Sequence, residues 1–98
     1  MLELVKTALR ISSTAFDAEL TMLIQACMAE LEAMNVTVAT DESGAPTSPM
    51  VKSAVVAFVK WRFGNHEDKD EWRDIYHIML AQLKTMTGYT NWRDGSNG

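Results

Sequence analysis

The side chains best equipped for chemistry lie in GNHEDKDEWRDIYH, residues 64–77, where His66 and His77 stand among Glu67, Asp68, Asp70, Glu71 and Asp74. Imidazole and carboxylate are the donors of a divalent-metal or acid–base site, so a metal centre is the sharpest reading of this stretch. The spacing opposes it. There is no HExxH and no close helical pair of histidines. Asp70, Asp74 and His77 do share one helix face, but it is the polar face opposite the apolar stripe, and the acids at the start of the helix complement the positive end of its dipole. Cys27 is the other candidate. It falls in the centre of an apolar stripe, where a thiol behaves as a small hydrophobe and not as a nucleophile. No serine stands in a GxSxG context, and the five glycines are too scattered for a phosphate-binding loop. The expectation is no enzyme: no catalytic residue, no metal ligand and no cofactor.

Composition limits what could position such groups. A chain of 98 residues makes one domain, and a hydrophobic content of 47% makes it globular. The net charge of −4 argues against coating nucleic acid by charge. Lys6 and Arg10 share a face of the first helix, and Lys52, Lys60 and Arg62 are spread around the third, which is ordinary surface decoration. The loops are too long for a helix-turn-helix, so sequence-specific nucleic-acid binding is not expected. The single cysteine permits no internal disulfide and fits a reducing compartment. The densest apolar run, AVVAFV at 54–59, is too short to span a bilayer. In MLELVKTALR the basic residues lie inside the apolar pattern and not before it, unlike a signal peptide. The reading is a soluble protein made in a cytoplasm, with no membrane partner.

The pattern predicts an all-α fold: a compact bundle of three main helices plus a short N-terminal helix, ending in a flexible C-terminal tail. Residues 1–87 would form the domain and 88–98 the tail. The first helix covers roughly 2–10, with Leu2, Val5 and Leu9 at helical spacing. Thr14 and Asp17 suggest a capping box for the second, roughly 15–35, whose core stripe is Phe16, Leu20, Leu23, Ile24, Cys27, Leu31 and Met34. Residues 36–48, VTVATDESGAPTS, read as a loop, with a short strand at VTV as an alternative. Ser48 caps a third helix that carries Pro49 at its first position and runs to Phe63, where Gly64-Asn65 stops it. That helix is apolar nearly all round, so it is central or covered by a neighbouring subunit. The fourth, roughly 68–87, shows the stripe Trp72, Ile75, Tyr76, Met79, Leu80, Leu83 and Met86.

Some apolar surface is left over. Ala18, Met22, Ala26, Ala29 and Ala33 form a second stripe on the second helix, and Ile78 is alone on the polar face of the fourth. Either the short first helix covers the alanine face, or the protein self-associates there. Met22, Ala26, Ala29, Ala33 and Ile78 are therefore the candidate subunit interface. The last stretch, GYTNWRDGSNG, cannot build a core, yet it holds Tyr89, Trp92 and Arg93, residue types that anchor docking surfaces. These three are the candidate partner-docking residues of the tail; simple fraying is the alternative.

Taken in order, these segments resemble the small helical head–tail connector proteins of long-tailed bacteriophages, also called adaptor, head-completion or DNA-packaging proteins. The resemblance covers roughly residues 2–87. It is carried by Leu2-Glu3 through Leu9-Arg10-Ile11, by Asp17, Leu20, Leu23-Ile24 and Ala26, by Pro49, Val51-Lys52 and Ala54-Val55, and by Trp61 and Asn65-His66-Glu67. The chain departs from the family pattern at Ser12 and Ser13, where acids are frequent, and in the turn Phe63-Gly64-Asn65-His66-Glu67. The resemblance implies a structural virion protein made in the bacterial host. It would form a ring, twelve-fold to match the portal, that lies below the portal, extends the DNA channel, helps retain the packaged genome and joins head to tail or to a neck protein. DNA would pass through without being read. The rival reading from the residues alone is a helical interaction or regulatory module acting as a dimer.

Overall fold

The computed structural model describes residues 1–63 and 67–85. Within them lie four helices: α1 (Leu2–Leu9), α2 (Asp17–Ala33), α3 (Pro49–Arg62) and α4 (Lys69–Thr85). The all-α expectation holds, and no strand occurs among the described residues. The central element is α3, which packs against each of the other three helices. Its near-continuous apolar surface is the reason. Val51, Ala54, Val55, Ala57, Phe58 and Val59 are all buried, whereas Met50, Val56 and Trp61 are only partly covered and leave part of the apolar surface of α3 facing outward.

The start of α3 forms as its sequence dictates. The Ser48 side chain accepts a hydrogen bond from the Val51 amide at 3.4 Å, and Pro49 opens the helix. The start of α2 does not. Thr14 and Asp17 form no capping box: the Asp17 amide donates to the Thr14 carbonyl at 3.2 Å, and no side chain caps the helix. Asp17 has a different partner. Its carboxylate meets the Lys6 ammonium at 2.8 Å and ties α1 to the start of α2. Lys6 is 6% exposed, so it belongs to the interior and not to a basic face shared with Arg10.

Two helices end on the same device. Arg10 (φ 61°) and Asn35 (φ 66°) are left-handed. After α1, the Arg10 amide donates to Thr7 and the Ile11 amide to Lys6; after α2, Asn35 donates to Glu32 and Val36 to Leu31. Each set is a Schellman closure, and the second adds apolar contact because Val36 and Leu31 are both buried. Beyond it, residues 36–48 form no VTV strand, but they are not irregular either. An antiparallel bridge joins Thr40 to Pro46, and Asp41 Oδ1 accepts from the Ser43 hydroxyl, the Ser43 amide and the Ala45 amide at 2.7, 2.8 and 3.1 Å. These bonds, the hydroxyl first, hold the Asp41 carboxyl below its ordinary pKa. Gly44 (φ +85°) supplies the positive φ at which the loop reverses.

Candidate functional site

The described part of the histidine–carboxylate stretch, residues 67–77, is spread along the start of α4. Asp70 and Asp74 both lean on Arg73, at 3.6 and 3.3 Å, and are well exposed. His77 lies against Trp61, with ring centroids 5.5 Å apart, and beside Tyr76. His66 is outside the described residues. Among the described residues no three of His, Cys, Asp and Glu converge as metal ligands. Cys27 is fully buried, and desolvation, the largest cause, pushes its thiol up to about 12, far from a reactive thiolate.

Next to it is a polar contact that the sequence did not disclose. Tyr76 on α4 is buried, and its hydroxyl donates to Glu30 Oε2 on α2 at 3.1 Å. Burial raises the Tyr76 pKa, and the neighbouring Cys27 and Glu30 add to the shift. Tyr76 also packs on Phe58 and Trp61 at 5.2 and 6.0 Å, so one residue joins the two outer helices across α3.

The surface carries the more informative features. Met22 is 70% exposed and Ile78 59% exposed. Ala18, Ala26, Ala29 and Ala33 are exposed with Met22, so the second stripe of α2 faces outward and α1 does not cover it. Phe16 and Met34 leave the core stripe in which the periodicity put them. Both are exposed, Phe16 with its ring edge-to-face on Phe63 at 5.4 Å. On the side of α3 that carries α1 and α4, three hollows follow one another. The largest, about 500 Å³, lies among Leu9, Ile11, Phe16, Phe63 and Trp72. Sequence periodicity finds stripes on single helices; it does not find a hollow whose walls come from different helices. Tyr89, Trp92 and Arg93, the candidate docking residues, lie outside the described residues.

Three helices around a central one, with apolar surface exposed on more than one side among the described residues, define a small all-α domain. The chain matches the family model described as phage connector protein over residues 1–90, and it belongs to that family. Its role is structural, as a connector component of the phage particle. No curated protein and no solved structure matches the chain. Among the described residues, no helix is long and apolar enough to cross a membrane.

Proposed function

We propose that the chain is one subunit of a ring below the portal, which in many copies extends the DNA channel and joins head to tail after packaging. The observation that carries this reading is the uncovered face of α2, where Met22 is 70% exposed in line with four exposed alanines, in a chain of the connector family. Closed rings use a heterologous contact between two different faces of one subunit, and an apolar helix face is a suitable first half. Twelve copies would match a twelve-fold portal. The acidic balance of −4 suits a channel through which DNA passes without being gripped.

The test is native mass across a concentration series, with and without the cognate portal. A closed species of many copies, or many copies per portal, supports the ring. A dimer indifferent to portal would replace it with the regulatory module. We assign Tyr89, Trp92 and Arg93 to docking on the portal or a neck protein, because aromatic and arginine side chains are the usual anchors of such contacts. Deleting residues 88–98 should then weaken portal or neck binding; unchanged binding would remove that assignment.

A further inference from the structure

We propose that the hollows along α3 form one furrow that receives helix α2 of a second copy of this chain. This rests on the ring reading and supplies its missing half, the surface that meets the face of α2.

The continuity of the furrow comes from shared walls. Ala8 and Trp72 line both the first hollow and a second of about 320 Å³. Ser53 and Met79 line both the second and a third of about 220 Å³, which ends at Pro49. The furrow thus follows α3, whose 14 residues give it a floor of about 21 Å. A facing α2 of 17 residues is about 25 Å long, so the lengths correspond. Leu4, Val56, Trp72 and Met79 make the lining apolar, and Leu4 is left 44% exposed. The outward face of α2 is narrow, because alanines flank Met22, and a narrow face allows helices to approach closely.

Charge selects this occupant. α2 carries Asp17, Glu19, Glu30 and Glu32 and no basic residue. On the helix wheel Glu19 and Glu32 flank the outward stripe on opposite sides, and both are exposed. The furrow has Arg10 and Lys60 beside one acid, Asp68, at its largest hollow and Lys52 at its second, so its charged lining is net cationic. Acidic flanks on cationic rims steer and orient the contact. The alternative, α2 against α2 in a two-fold dimer, would set acids against acids.

The experiment is disulfide trapping between full-length chains carrying Ala8→Cys and full-length chains carrying Ala26→Cys. Bond formation requires Cα atoms within about 7 Å, so it reports this contact and not general proximity. The buried native thiol, at about 12, stays silent. Trapping also collects transient encounters, so a monomeric free chain is still tested. The mixed 8–26 dimer should form about tenfold faster than either like dimer. Arg10→Glu with Lys52→Glu on the furrow chain should slow it about tenfold, and Glu19→Lys with Glu32→Lys on the other chain should restore it.

Dominant 26–26 dimers, or no cross-link above that of an exposed Thr37→Cys control, would overturn the proposal. So would an Ala8→Cys chain that cross-links only after residues 86–98 are deleted, since the chain's own C-terminus would then be the occupant. Native mass of the wild type with portal separates the two readings. A ring without 8–26 trapping removes the furrow contact alone, whereas trapping without a ring keeps the contact and removes the ring.

Discussion

Cys27 and Tyr76 show how burial turns two ordinary side chains into a pH limit on stability. Both acids have raised pKa values in the folded chain, Cys27 from 9.0 to about 12. A raised acid favours its neutral form when folded, so its contribution is complete below the unfolded pKa and is lost as pH rises toward the folded one. Stability should therefore fall between about pH 9 and 12. Cys27→Ala should make denaturant melts less steeply pH-dependent there, with a remainder due to Tyr76. An equally steep fall in the variant would show that the thiol is not the titrating group. Asn35 gives a second test at this scale. Its φ of 66° suits asparagine but penalises a β-branched side chain, so Asn35→Val should cost about 1–2 kcal/mol while Asn35→Gly stays near wild type. Equal melts for the two would mean that the turn relaxes without cost.

At the scale of elements, α1 is attached by the burial of Val5, with Leu2 and Leu9 beside it, and by one ion pair. Asp17→Ala would leave the Lys6 ammonium, 6% exposed, without its carboxylate, at a cost of about 2–3 kcal/mol because Asp17 itself is partly solvated. Adding Lys6→Met should recover most of that, and amide exchange in α1 should report both changes. If Asp17→Ala exchanges like wild type, α1 is held by apolar packing alone. Nearest-neighbour patterns made much of the architecture legible in advance: the stripe of α4 from Trp72 to Leu83, the Ser48–Pro49 start of α3, and the near-continuous apolar run that makes α3 central. The capping box failed because Asp17 had a stronger partner 11 positions back, on another helix. The spacing of Phe16 matches the core stripe, yet the residue precedes the first residue of α2 and lies outside that helix's wheel. The Tyr76–Glu30 bond joins residues 46 apart, a pairing that helical periodicity does not encode.

For the whole molecule, the question is whether its outward apolar residues belong to the fold or to the assembly, and Met22 separates these. It is 70% exposed on the subunit, so Met22→Glu removes almost no internal packing and should leave stability within about 0.5 kcal/mol of wild type. In an assembled ring the same glutamate would be an unpaired charge in a desolvated contact, a much larger penalty. The variant should therefore melt like wild type and fail to form the many-copy species or to load onto portal. Ala29→Glu should do the same. Ile78→Glu extends the comparison to α4, where the side chain is 59% exposed on a different helix. If Met22→Glu and Ala29→Glu block assembly while Ile78→Glu does not, the Ile78 face of α4 lies outside the contact; if all three block it, the interface also covers that face. Assembly that proceeds normally in the α2 variants would show that this face is solvent-facing in the ring. A loss of helical signal in the same variants would instead return Met22 to the fold, against its exposure in the subunit.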